Sequence, residues 1–359
     1  MGYPCGAEAA ALARRYDIGE IRELDPWGGT AGRTYRVATS TGVYFLRRRG
    51  ARSSSEHRVA FDHSLRAFLI ERGIRTVAPL RARDGSSWLR TDSGVWELYP
   101  FVEGRGHRPG NPTEIASVAR ELGRFHLATA LLRPRIPEPP LLDQFSLSVS
   151  STPPSTRIDD PRSMRHALQH CIPLLTPGER EVAEQMLSLV DELATHFAAD
   201  AYRRLDRYVI HGDLHRGNVL FGPDGELKGI FDFDWACCAP RLRDLAEALH
   251  FFASRPSREG SDIWALTSPP VLDRAVAERL LASYSALAPL DPEEEALLSW
   301  AWMGRWIGMR IEGMYKVPRR QRGRFLTAGF REPLEAIMGP RPGRSTAGRR
   351  EGPACSPGA

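Results

Sequence analysis

The chain has 359 residues, 42% hydrophobic and 26% charged, with a net charge of +5. At roughly 150 residues per domain this is two domains or one two-lobed unit, enough to bury a substantial core. No apolar run approaches the ~18–20 residues of a membrane span, and Met1-Gly2-Tyr3-Pro4-Cys5 has neither the apolar stretch of a signal peptide nor a Ser or Thr at position six for myristoylation. A cytoplasmic protein with no membrane partner is therefore expected.

The five cysteines, Cys5, Cys171, Cys237, Cys238 and Cys355, are odd in number and wrongly spaced for a zinc site or a disulfide framework. Residues 339–359 carry Arg341, Arg344, Arg349 and Arg350 against Glu351 in a Gly-, Pro- and Ser-rich context, a composition expected of a disordered tail. With that excess removed the body is nearly neutral, a poor surface for nucleic acid. Lys228 and Lys316 are the two lysines of the chain, so any role usually given to lysine falls on arginine.

Along the chain, Ala9, Leu12, Ala13 and Tyr16 predict a short helix. A glycine-rich turn, Trp27-Gly28-Gly29-Thr30-Ala31-Gly32-Arg33, precedes a hairpin of Thr34–Ala38 and Val43–Arg47. Helical periodicity runs over 56–72 through Val59, Phe61, Leu65, Phe68 and Leu69. Two further strands are expected at Ser87–Arg90 and Val95–Phe101. Residues 1–102 thus read as a small β-rich lobe. After the Glu103-Gly104-Arg105-Gly106 linker, Thr113 is the expected N-cap of a helix holding Val118, Leu122, Phe125 and His126. An irregular Pro/Ser-rich excursion over 133–163, a helix over 178–204, brief strands around 208–233 and further helices to about 338 complete a larger lobe, 103–338.

The chemistry concentrates in His211-Gly212-Asp213-Leu214-His215-Arg216-Gly217-Asn218 and in Phe231-Asp232-Phe233-Asp234. Between them, Val219–Phe221 and Leu227–Phe231 flank a Gly-Pro-Asp-Gly turn, a hairpin signal. With the turn centred near Gly225, Asn218 and Asp232 are equally far from it and sit side by side at the open end. Asp232 and Asp234, two apart on a strand, would face the same way. This gathers hard oxygen ligands, Asn218, Asp232 and Asp234, with Asp213 close by. Magnesium takes such ligands together with substrate phosphates, and phosphoryl transfer needs a carboxylate to orient the attacking hydroxyl.

His-Gly-Asp-x-His-x-x-Asn followed by Asp-Phe-Asp resembles the aminoglycoside phosphotransferase and choline-kinase-like superfamily. Phe231-Asp232-Phe233-Asp234-Trp235-Ala236 with Asp244-Leu245-Ala246 is locally similar to its homoserine-kinase-type members. The resemblance implies an α+β, bilobal protein-kinase-like fold, with a small antiparallel-sheet lobe and a larger, mainly helical one. It also implies an ATP- and Mg2+-dependent kinase that phosphorylates a hydroxyl of a small molecule. Asp213 would be the catalytic base. Asn218 and Asp232 would hold magnesium, joined by Asp234. His211 would brace the catalytic loop, and Asp244 would tie the next helix to it. Gly28, Gly29 and Gly32 would cover the ATP phosphates. Arg47, or Arg48 if the strand slips by one, would take the family's basic position. Asp62 or Glu56 would be its helical partner, and Glu97-Leu98-Tyr99 the hinge that holds adenine.

Three other readings compete. His211, Asp213 and His215 could form a metallohydrolase site. A protein Ser/Thr kinase would need a long activation segment, whereas nine residues separate Asp234 from Asp244. A pseudokinase would lack the reactive residues that are present here. The acceptor, an amino sugar, amino alcohol or amino acid, would lie in the helical region after 250 among Trp300, Trp302, Arg305, Trp306, Arg310 and Tyr315. Trp302, Arg305 and Trp306 are expected to share a helix face there. Arg319, Arg320, Arg322 and Arg324 read as a solvated surface.

Overall fold

A computed structural model describes residues 6–27, 34–132, 161–198, 204–258 and 263–338. Gly28, Gly29 and Gly32, most of the 133–163 excursion and the 339–359 tail lie outside the described residues.

The N-terminal part is an antiparallel sheet in the order β1-β2-β3-β5-β4. Its strands are β1 (Ile21–Trp27), β2 (Thr34–Thr39), β3 (Val43–Arg48), β4 (Leu89–Thr91) and β5 (Gly94–Pro100). In β2 burial alternates residue by residue, the period of a pleated strand, and Tyr35, Val37 and Thr39 point inward. Helix α1 (Gly6–Ala13) packs Ala9, Leu12 and Ala13 on that face with Tyr16, Val37, Leu46, Trp96 and Leu98. The sequence reading missed β1. It is an edge strand, mostly exposed, and its Pro26 and charged residues carry little alternation to detect.

Helix α2 (Glu56–Glu71) crosses beside this sheet and buries a mixed set: Val59, Leu65 and Leu69 with Arg58, Asp62 and Arg66. Buried charges on a helix must find partners, and these three find theirs at the junction described below.

The rest is mainly helical. Helix α3 (Pro112–Ala130) is capped by Asn111, not Thr113. The Asn111 side chain accepts from the backbone amides of Thr113 and Glu114, and Pro112 takes the first helical position, where no N–H is needed. Helices α4 (Pro161–Cys171) and α5 (Pro177–Ala198) pack together. Strand β6 (Arg207–Ile210) pairs with β9 (Cys237–Pro240), and β7 (Val219–Phe221) pairs with β8 (Leu227–Ile230) as the expected hairpin. Helix α6 (Leu242–Phe252) follows at once. After strand β10 (Ser254–Pro256), the one-turn α7 (Ile263–Leu266) and strand β11 (Pro270–Leu272) come α8 (Arg274–Ser285), α9 (Pro292–Met314), α10 (Arg322–Thr327) and α11 (Leu334–Met338). Helix α9 begins with a full capping box between Asp291 and Glu294 and runs along α6, while α8 packs on α3.

One continuous core joins α2, α3, the β7–β8 hairpin, α6 and α9 through residues such as Leu69, Leu122, Phe125, Val219, Phe233, Leu245 and Ile307. Each fully buried Leu or Phe contributes roughly 1.5–3 kcal/mol. That core is the platform on which the loop after β6 rests.

Candidate active site

The loop after β6 is held from below by buried carboxylates. Asp244, fully buried in the first turn of α6, accepts from the backbone amides of His211 at 2.7 Å and Gly212 at 2.8 Å, and meets His126 Nε2 at 3.2 Å. His126 Nδ1 in turn contacts the Tyr284 hydroxyl at 2.8 Å. Glu247, one turn along α6, accepts from the Leu214 amide at 2.9 Å. Gly212 has φ +77° and its Cα faces the Trp235 carbonyl so closely that an added Cβ would lie 2.4 Å from that oxygen. Position 212 therefore requires glycine.

His211 has both ring nitrogens engaged. Nδ1 accepts from the Asp213 amide at 3.2 Å and Nε2–H donates to the Phe231 carbonyl at 2.8 Å, the neutral tautomer. His215 Nδ1 accepts from the Gly217 amide at 3.0 Å. The His-x-Asp-x-His set therefore does not converge on one point as metal ligands, which corrects the metallohydrolase reading.

Asp213 lies beside Asn218, whose Nδ2 donates to the Asp213 carbonyl at 2.8 Å and lies 3.4 Å from its carboxylate. Burial alone would raise the Asp213 carboxyl. His215, with its Nε2 3.6 Å from the carboxylate, and the Arg305 charge instead hold it down at about 2. It is an ionised hydrogen-bond acceptor at neutral pH.

The hairpin brings Asn218 and Asp232 together, in a different register from the one expected. Val219 pairs with Ile230, and a bulge falls between Leu220 and Phe221. Asn218 thus opposes Phe231, whose amide donates to its carbonyl at 2.8 Å. Asp232 is next. It is the non-glycine residue with positive φ among the described residues (φ 62°, ψ 70°), and residues 233–235 then form a single 3-10 turn instead of a strand. Strain of this kind in an Asp costs about 1–3 kcal/mol and collects at functional sites. The Asp232 side chain is left 41% exposed.

Asp234, expected as a metal ligand, has its carboxylate engaged by arginines and a serine. One oxygen accepts from Arg49 at 2.7 Å and the other from Arg47 at 2.5 Å and Ser53 at 2.7 Å. Its acceptor capacity is taken up by the N-terminal part of the chain.

The same cluster corrects the basic partner of α2. Asp62 pairs with Arg49 at 2.7 Å and with Arg66 at 2.6 Å, not with Arg47. Glu56 points outward near Arg90. Arg47 instead reaches Asp232 at 3.2 Å and Asp234. Arg48 faces the other way, over the Trp96 ring and onto the Ser93 carbonyl. Glu97-Leu98-Tyr99 is not a strand-end hinge. The segment lies within β5, paired to β3 from Phe45 to Arg47, and the Leu98 carbonyl is taken by the Leu80 amide. Glu97 is fully buried, 2.7 Å from both Arg49 and His63. Burial pushes its carboxyl up, but the His63 hydrogen bond and the Arg49 and Arg47 charges hold it down at about 2.

Sequence reasoning missed Arg49, Ser53, Arg58 and Glu247. Arg58 donates to the carbonyls of Phe233, Asp234 and Ala236, so α2 grips the segment that carries Asp234. Glu247 had a legible signal, since it stands three residues after Asp244 on the same helix face. Arg49 had none, because it lies one residue beyond the end of β3. Of the expected acceptor residues, Trp306 and Arg310 are core: Trp306 donates to the Phe330 carbonyl at 3.0 Å and Arg310 to that of Thr267 at 2.7 Å. Trp300 stacks on His196 and Tyr315 lies under Arg322. Arg305 alone of these is tied to the catalytic loop, through Glu247 at 2.7 Å.

Oxygen donors at Asn218 and Asp232 suit a hard cation shared with phosphates. With its Nδ2 spent on Asp213, Asn218 presents its Oδ1 as the acceptor. Among the described residues no three His, Cys, Asp or Glu side chains could hold a metal by themselves.

A five-stranded antiparallel sheet set against a mainly helical part, with a buttressed His-Gly-Asp loop between them, defines a protein-kinase-like phosphotransferase scaffold. A model of the phosphotransferase enzyme family matches residues 23–304, and the chain belongs to that family. It is 28% identical over 297 residues to a homoserine kinase from Methylobacillus flagellatus, covering 82% of this chain and 80% of the relative. In fold it is similar to an aminoglycoside phosphotransferase from Alicyclobacillus acidocaldarius (TM-score 0.63, 14% identity, 94% of this chain and 98% of the other). It is also similar to an amicoumacin kinase solved with AMP-PNP and Ca2+ (TM-score 0.58, 17% identity, 91% and 96%). The small-molecule kinase class and the bilobal α+β fold expected from the motifs agree with these findings. No helix among the described residues is long and apolar enough to cross a membrane.

Proposed function

We propose that this protein transfers the γ-phosphate of ATP, in the cytoplasm, to the hydroxyl of a small amino-bearing metabolite, with Asp213 as the catalytic base. Residues 1–102 cover the nucleotide and 103–338 carry the catalytic loop and the acceptor site. The observation that carries the reading is the juxtaposition of Asp213 and Asn218, on a loop whose backbone is held by Asp244 and Glu247, with the end of the hairpin that carries Asp232.

In this reading the ionised Asp213 accepts a hydrogen bond from the acceptor hydroxyl, aligns its oxygen and takes its proton as the bond to the γ-phosphorus forms and the bond from that phosphorus to the bridging oxygen breaks, ADP leaving with that oxygen. Asn218 fixes the Asp213 loop through its amide and offers Oδ1, and Asp232 offers its exposed carboxylate, to Mg2+. Bound there, the ion neutralises charge on the phosphates. Arg47, 13% exposed beside Asp232, supplies fixed positive charge from the covering strand. Arg49 and Asp234 keep that strand docked. The names of the relatives favour a hydroxylated amino acid as acceptor, ahead of amino sugars and amino alcohols.

A screen of hydroxylated amino acids, amino alcohols and aminoglycosides for acceptor-dependent ADP release, with magnesium present and then chelated, tests this. Release with one of these acceptors that stops on chelation is expected. Release that depends on none of them would overturn the assignment.

A further inference from the structure

The side of the loop facing α9 carries charge that is only partly paired. Arg305 is 13% exposed. Of its donors, one NH2 proton is held by Glu247 at 2.7 Å, Nε is buried without a partner among the described residues, and NH1 stands 4.0 Å from Glu312, beyond hydrogen-bond range. A guanidinium carries five N–H donors and no acceptor, so this one is under-satisfied. Glu312, two helical turns along the same face of α9, is 32% exposed and its nearest cation is that same distant NH1. A solvent-facing carboxylate and an incompletely bonded guanidinium thus stand just too far apart to satisfy each other.

The position matters as much as the spacing. Glu247 links Arg305 to the Leu214 amide, next to Asp213 in the chain, and the Arg305 charge acts on the Asp213 carboxylate. The neighbouring His250 is held neutral, down at about 3, by burial and by the Arg305 and Arg216 charges, so it does not compete as a cation.

We propose that Arg305 and Glu312 form a zwitterion-reading subsite, Arg305 taking the carboxylate and Glu312 the ammonium of a hydroxy amino acid whose hydroxyl lies at Asp213. This rests on the phosphotransferase reading and narrows its acceptor class. A planar guanidinium suits a carboxylate, and a site whose polar groups are left unpaired by an analogue rejects that analogue strongly. Decarboxylated amino alcohols leave Arg305 unpaired, and deaminated hydroxy acids leave Glu312 unpaired.

The test compares kcat/KM for three acceptors matched in carbon skeleton: an ω-hydroxy amino acid, its decarboxylated amino alcohol and its deaminated hydroxy acid. For the unaltered chain the amino acid is expected to lead the other two by about 10²-fold or more. In Arg305→Gln the ratio of amino acid to amino alcohol should collapse towards one, through KM for the acceptor, while KM for ATP holds. In Glu312→Gln the ratio of amino acid to hydroxy acid should collapse instead. Because Arg305 also braces Glu247, Arg305→Lys serves as a control and should restore part of the lost preference. Turnover in which the unaltered chain prefers the amino alcohol or an aminoglycoside, or in which both ratios survive both substitutions, overturns the subsite and leaves the kinase assignment standing. Absence of acceptor-dependent turnover with every compound overturns both.

Discussion

Two neighbouring regions fix the site by opposite means. The catalytic loop is held through its backbone: Asp244 and Glu247 accept from the amides of His211, Gly212 and Leu214. The junction between sheet and loop is held through side chains: Arg49 bridges Asp62, Glu97 and Asp234, while Arg47 bridges Asp232 and Asp234. Amide-to-carboxylate bonds leave the Asp213 carboxylate and the Asn218 Oδ1 available for chemistry. Charge pairs consume the side chains they join but can exchange partners. In the proposed function, a loop that holds a base in place uses the first device, and a covering strand that meets changing charge on a nucleotide uses the second.

That contrast can be broken at several points. Asp232→Ala removes the exposed carboxylate that Arg47 contacts and that magnesium would use, so kcat/KM should fall by about 10³-fold or more with weakened metal dependence, read by ADP release across a magnesium titration. Near wild-type turnover would take Asp232 out of the site. Arg49→Met leaves Asp62 and Glu97 buried with one partner fewer and should cost about 3–5 kcal/mol, seen as a lower denaturant midpoint. A loss below about 1 kcal/mol would mean the junction is not a buried charge cluster. Gly212→Ala forces a side chain into φ +77° against the Trp235 carbonyl, and should cost about 1–3 kcal/mol and a share of activity as the loop shifts.

The most gradual effect is on pH dependence. His250 titrates at about 3 when folded, against 6.5 unfolded, because burial and nearby arginines oppose its charge. Between these values the unfolded chain binds the extra proton, so stability falls as pH drops from about 6.5 towards 3, by at most about 1.4 kcal/mol per unit from this one group. Denaturant midpoints across that range should slope less steeply in His250→Phe, and an unchanged slope would exclude His250 as a source.

The amide-held loop was largely legible in the sequence, and the charge-held junction was not. His211, Asp213, Asn218 and Asp244 stand in a local motif where spacing alone limits geometry. Asp62 was picked out, but its partner was not, because the answer turned on where β3 ends. Arg49 lies just past the strand and turns towards α2, while Arg47 on the strand faces Asp232. Asp232 and Asp234 were read as neighbours on a strand. A bulge in the hairpin and a left-handed Asp232 break that alternation, and the two aspartates share Arg47 while Asp234 also takes Arg49 and Ser53. The fold class followed from the motif resemblance, and the β-rich start and helical remainder agreed with it. The edge strand β1 escaped because edges need not alternate.

The central claim is that Asp213 is the proton-accepting carboxylate of a phosphoryl transfer. It is tested most directly by measuring acceptor-dependent ADP release and ATP binding side by side for the wild type and Asp213→Ala. The account predicts a fall in kcat of about 10³-fold or more with the ATP dissociation constant within a few-fold of wild type. A variant that binds ATP and turns over at a near wild-type rate would contradict it.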